Sequence, residues 1–90
     1  MSWEAETARR DIGKEREKQD KKWGVQDHDP FTWLGVLVEE VGEFSKEALR
    51  NRFGKVDNEG RMHAECVQVA AVAQAMVECL LRRGWTWPDS

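Results

Sequence analysis

Glu39-Glu40-Val41-Gly42-Glu43 lies inside an apolar helical pattern, where Leu34, Leu37, Val38, Val41, Ala48 and Leu49 recur at the spacing of one helix face. Upstream, Asp29-Pro30 gives the helix a start, with Asp29 as N-cap and Pro30 at the first helical position. The pattern runs to about Arg52, and Phe53-Gly54 ends it, with Gly54 suited to a left-handed cap. Acids on a helix that also carries Val, Leu and Phe need a physical reason to be there.

Working outward, Lys55 to Gly60 forms a joint in which Asp57 or Asn58 caps the next helix, expected from about Arg61 to Arg83. Arg82 and Arg83 suit the negative end of that helix, and Gly84 follows. On the other side, Trp23 to His28 forms the first joint. Before it, a helix is expected from about Trp3 to Lys22, dense in Glu, Lys and Arg, with a thin apolar seam of Trp3, Ala5, Ala8 and Ile12. The run Lys14 to Lys18 reads as a solvated face. The fold class is therefore all-α, a helical hairpin plus an N-terminal helix, forming a single domain over 1–90.

The third helix implies an oligomer. Its polar arc carries Gln74, Glu78 and Arg82, while Val67, Val69, Ala70, Val72, Ala73, Ala75, Met76, Val77, Leu80 and Leu81 occupy the rest. A helix apolar almost all round must be covered almost all round. A second copy of the chain would do this in a shared four-helix-bundle core, as a homodimer or homotetramer.

Composition bounds the function. The 90 residues carry a formal net charge of -3 and 40% hydrophobic residues, which argues against disorder and against a duplex nucleic acid partner. No stretch is expected to cross a membrane, and the first residues lack the basic and apolar regions of a signal peptide. Cys66 and Cys79, about 20 Å apart on one helix, are expected to be reduced, buried packing residues of a cytoplasmic protein.

Glu39, Glu40, Glu43 and Glu47 lie within an arc of about 100°, and Arg50 is the one basic residue inside it. Glu65 shares the apolar side of the third helix with Val69, Val72 and Met76, and Gln68 flanks that side. An ionised carboxylate taken from water must be paired or take up a proton. Two readings stand. In one, the acids converge from two helices on a divalent cation; Mg²⁺ suits a few carboxylates completed by water and phosphate oxygens. In the other, Glu39, Glu43 and Glu47 form a wet face and Glu65 is a first-turn acid favoured by the helix dipole.

These residues resemble the MazG-like all-α nucleoside triphosphate pyrophosphohydrolases. The resemblance rests on Glu39-Glu40-Val41-Gly42-Glu43 followed by Glu65 near the start of the next long helix. The lead-in Lys22-Trp23-Gly24-Val25-Gln26-Asp27-His28, Pro30 and Trp33-Leu34-Gly35-Val36-Leu37 is similar to the dCTP pyrophosphatase-like branch, and the likeness spans roughly residues 15 to 81. It implies Mg²⁺-dependent cleavage of a nucleoside triphosphate, as a deoxynucleotide pool-cleaning activity, to the monophosphate and pyrophosphate. By position it implies Glu40, Glu43 and Glu65 as metal ligands and Glu39 as a base. The family's fourth ligand, Asp, is Gln68 here, which offers a neutral carbonyl oxygen instead. The family's distal basic and Asn residues have no match. A non-catalytic nucleotide-binding relative and a plain helical interaction module are the alternatives.

Chemistry on this pattern needs Glu39 or Glu43 to orient or deprotonate water and cations to meet the leaving pyrophosphate. Arg50, Arg52, Lys55 and Arg61 cluster at the second joint and are candidates, or are ordinary loop charges. Trp23 or Trp33 could stack a base while His28 bonds its edge; burial is the other reading of each Trp. Trp85 and Trp87 could close over a neighbour's pocket.

Overall fold

The computed structural model describes residues 2–88; Met1, Asp89 and Ser90 lie outside the described residues. It has three helices, α1 (Trp3–Trp23), α2 (Pro30–Gly54) and α3 (Glu59–Arg82), and no strand among the described residues. The central helix is α3. Both α1 and α2 pack on it, and the two do not pack on each other.

Helix starts follow the local chemistry. The Asp29 carboxylate accepts from the Phe31 and Thr32 backbone N–H at 2.9 and 3.0 Å and from the Thr32 hydroxyl at 2.9 Å. These bonds hold the Asp29 carboxyl below its ordinary pKa. Ser2 caps α1 by accepting from Ala5 N at 3.2 Å. At the end of α2 the left-handed residue is Lys55 (φ 52°, ψ 45°), one position past the expected Gly54. Gly84, at φ 80°, closes α3, with its N–H donated to Leu81 O and the Trp85 N–H donated to Leu80 O, both at 2.9 Å.

The second joint is locked by Asn58 and Glu47. Asn58 begins α3 but makes no side-chain cap bond there. Its Nδ2 instead donates to the backbone and carboxylate oxygens of Glu47, both at 2.9 Å. Glu47 is only 5% exposed and also receives Arg50 at 3.1 Å. Glu47 therefore leaves the acidic arc that the helical wheel assigned to it. Donation from Asn58, with help from Arg50, lowers its pKa.

The docking of α1 departs most from expectation. Trp3 and Ala8 are exposed, and the buried residues of α1 are Arg16 and Gln19. Arg16 sits within the run expected to be solvated, yet it forks onto Glu78 of α3 at 2.6 and 3.2 Å. It also donates to Gln19 and to Asp20, each at 2.9 Å. Its guanidinium makes four hydrogen bonds to three side chains, so burial leaves few of its donors unmet. A second polar contact places His63 Nε2 3.1 Å from Asp11 Oδ2.

The last turn of α3 grips the first joint. Arg82 bonds Asp27 and the Gln26 carbonyl, and Arg83 bonds the His28 carbonyl at 2.6 Å. Beneath lies the core of Trp33, Val72, Ala75 and Cys79, with Val36, Leu37 and Met76 against it. Cys79 is buried as expected, but Cys66 is exposed; thirteen residues earlier, it lies about 140° round α3 from Cys79, at about 100° per residue. The apolar run of α3 is also longer than the sequence reading allowed. An 18-residue window reaches a mean hydropathy of 1.5, enough by length and composition to cross a membrane, and 22% of it is buried. One chain thus covers α3 only in part.

Asn58→Ala should destabilise the fold by about 1–3 kcal/mol, because it strips a buried carboxylate of its main donor. Urea unfolding checks this. The depressed Glu47 pKa adds a sign: its stabilisation is present above the ordinary carboxylate range and fades as pH falls through the lowered value. The gap between wild type and Asn58→Ala should accordingly narrow in acid.

Candidate functional site

Three helices enclose a groove of about 240 Å³. Gln19 and Trp23 of α1 form one wall, Trp33, Val36, Glu39 and Glu40 of α2 the other, and Gln68, Val72 and Ala75 of α3 the floor. Gln26 and His28 of the first joint close one end. The Asp29 cap and the grip of Arg83 fix where that joint runs.

Trp33 is 3% exposed and is a core residue, so its ring is a wall of the groove rather than a free stacking platform. His28 meets its edge, ring centroids 4.8 Å apart and nearly perpendicular at 73°. Trp33 Nε1 is buried without a hydrogen-bond partner. A buried donor without an acceptor costs about 1–3 kcal/mol, and a ligand oxygen or nitrogen in the groove would remove that cost. Trp23, 56% exposed, is the face open to stacking; Lys22 stands over its ring at 4.8 Å.

Glu40 is the centre of negative charge. Its pKa is raised, first by burial and then by Glu65, Glu39, Glu43 and Glu15. Acids from all three helices therefore act on one half-buried carboxyl. Glu15 is new relative to the sequence reading, which placed it on a wet face. The i, i+4 relation of Glu15 to Gln19, on the side of α1 that Arg16 turns toward α3, was the signal available.

The structure thus brings Trp23, His28, Trp33, Glu39, Glu40 and Gln68 to one groove, with Glu43 and Glu65 electrostatically coupled to Glu40. Arg52 and Lys55 lie elsewhere: at 1.5 Å per residue Arg52 is about 18 Å along α2 from Glu40, and it stacks on Phe53. Arg61, one turn before Glu65, lines a separate cavity at the second joint with Arg50 and Asn58. Cations nearer the groove come from α1. Lys18 and Lys22 border an adjoining cleft with Glu15, Gln19, Trp23 and Gln68. Trp85 and Trp87 are exposed past α3.

The donor set Glu40, Glu43, Glu65 and Gln68 is all oxygen, which is the chemistry Mg²⁺ takes. Among the described residues no three of His, Cys, Asp and Glu stand close enough to share one ion as placed. Burial first, and then repulsion from neighbouring acids, disfavour the Glu40 charge, and a bound divalent cation acts against both.

Glu40→Gln should raise the melting temperature in metal-free buffer near neutral pH. The sign follows from linkage: a carboxyl with a raised folded pKa contributes fully below its unfolded value and loses that contribution as pH climbs through the folded one. The advantage of the variant should vanish in acid, where wild-type Glu40 is protonated too. Thermal melts across pH check both parts. Compared with known proteins, the chain matches no family model, no curated protein and no solved structure.

Proposed function

We propose that the chain is a MazG-like, Mg²⁺-dependent pyrophosphohydrolase that cleaves a nucleoside triphosphate, most simply a deoxynucleotide, to the monophosphate and pyrophosphate. The observation that carries this reading is the half-buried Glu40 surrounded by Glu65, Glu39, Glu43 and Glu15, on the wall of a groove shared with Trp33 and His28. Acids beside an aromatic slot suit a ligand that is phosphate at one end and base at the other. The resemblance of Glu39 to Glu43 and Glu65 to that family supports the same reading.

In this reading the base enters between Trp23 and Trp33, with Trp33 Nε1 donating to a base acceptor and His28 at its edge. Glu40, Glu43, Glu65 and the Gln68 carbonyl would hold Mg²⁺, which when bound supplies charge neutralisation for the phosphates. Glu39 takes a proton from the water that attacks the α-phosphorus. The bond from that phosphorus to the bridging oxygen breaks, and pyrophosphate leaves. Lys18 and Lys22, which line the adjoining cleft, would meet the leaving charge, with Arg61, one turn before Glu65 on α3, as a third cation. Arg52 and Lys55 are assigned to this role only if a second copy carries them to the groove.

The assembly is part of the proposal. Copies pair through a four-helix core into a homodimer or homotetramer, in the cytoplasm, with neither a membrane nor duplex nucleic acid as partner. A second reading, nucleotide binding without turnover, is favoured by one observation: Gln68 stands at the groove floor where the family carries an acid.

A panel of deoxynucleoside triphosphates with Mg²⁺ should give pyrophosphate release that falls roughly 10²-fold or more in Glu39→Gln. Mg²⁺ should raise the wild-type melting temperature and leave that of Glu40→Gln unchanged. Trp33→Phe, which keeps a ring but removes the donor, should raise KM by about tenfold. Nucleotide-induced stabilisation with no pyrophosphate released would favour the binding reading, and no response to either ligand would leave only a helical interaction module.

A further inference from the structure

Of the side chains assigned to Mg²⁺, Gln68 is the neutral one: its amide offers an oxygen but no charge. Across from it on α1 stands Glu15. The two line the same pair of clefts between α1 and α3, one with Asp11, Lys14 and His63, the other with Gln19, Lys22 and Trp23. Gln68 also forms the groove floor beside Glu40. We propose that Glu15 supplies the charge that Gln68 lacks, as an outer carboxylate of the Mg²⁺ site that accepts hydrogen bonds from metal-bound water. This deepens the Mg²⁺ reading above and rests on it.

The contacts of α1 single out Glu15 among its acids. Asp11 is taken by His63 at 3.1 Å and Asp20 by Arg16 at 2.9 Å. Glu4, Glu6 and Glu17 are exposed. Glu15 is half-buried, and among the described residues it is in no ion pair. Lys18, three residues on, lines both clefts without pairing to it. The fork of Arg16 onto Glu78 fixes the rotation of α1 one residue away. One turn further, Gln19 lines the groove itself, so Glu15 lies on the groove side of the helix. Its charge is felt at Glu40.

The chemistry of the cation suits a carboxylate at this remove. Mg²⁺ dehydrates reluctantly and keeps several waters. Groups that hold those waters or orient the inner donors count toward affinity almost as the ligands do. Among the described residues no three of His, Cys, Asp and Glu stand close enough to share one ion, and a carboxylate acting across a water needs no such approach. A second sign that a ligand completes this groove comes from Trp33. It is 3% exposed, and its Nε1 has no partner.

Isothermal titration of MgCl₂ into the metal-free full chain, without nucleotide, tests the inference. Glu15→Gln keeps the shape and removes the charge, and should weaken Mg²⁺ binding by about 10- to 100-fold. Glu17→Gln, the same charge change at an exposed position of α1, should stay within about twofold of wild type at physiological salt. Gln68→Asp added to Glu15→Gln should recover most of the lost affinity, which a purely structural role for Glu15 would not allow. Equal Mg²⁺ affinity in wild type and Glu15→Gln overturns the proposal and leaves the Mg²⁺ reading standing. An equal loss in Glu17→Gln, or no recovery with Gln68→Asp, overturns it as well. A wild-type chain that takes up no Mg²⁺ overturns the functional reading and the proposal together.

Discussion

The fork of Arg16 onto Glu78 is the contact on which the groove depends. Without α1 there is no wall made of Gln19 and Trp23, and α2 and α3 present an open acidic surface instead. This attachment is polar where helix docking is usually apolar. Three acceptors share the guanidinium, and only Glu78 lies outside α1. Glu78 draws α1 onto α3, Gln19 and Asp20 keep the fork aimed, and the Glu78 pKa falls in response to its donor. Ion pairs at a surface contribute little. This one is half-buried and bidentate, which places it among the stronger kind.

The two acidic positions on α2 show how one residue type is put to opposite uses. Glu47 is nearly sealed from solvent yet comfortable, because Asn58 and Arg50 answer its charge. Glu40 is less comfortable, because burial comes without a donor or cation to answer its charge and its neighbours are acids. Seven residues along one helix, the first locks the hairpin and the second stores unfavourable charge beside a groove. Strain of that kind at a cleft is a marker of a ligand site, and the orphaned indole N–H of Trp33 is a second marker next to it.

The helices were legible because their signals are local. Asp29-Pro30 sets a start through bonds that span three residues, and apolar spacing along α2 and α3 reports its own period. Part of the site was legible for the same reason: Glu39, Glu40, Trp33 and His28 lie close together in sequence, so a correct helix start places them on one groove. What sequence could not show were contacts between distant segments. Glu47 reads as one more acid of an arc until Asn58, eleven residues on, is brought against it. Glu15, Lys18 and Gln19 read as a wet helix until Arg16 finds a carboxylate 62 positions away. Arg52 and Lys55 look close to the acids in sequence, yet the rise of the helix carries them to the far end.

The long span of these contacts has a consequence for how the molecule comes into being. The α2–α3 hairpin closes a short loop and can collapse early, whereas the α1 clasp and the Arg82 and Arg83 grip join chain segments more than fifty residues apart. Entropy makes such closures late events. The first joint and α1 are held by residues in the last turns of α3. The acidic cleft therefore exists only when segments from both ends of the chain are in place together.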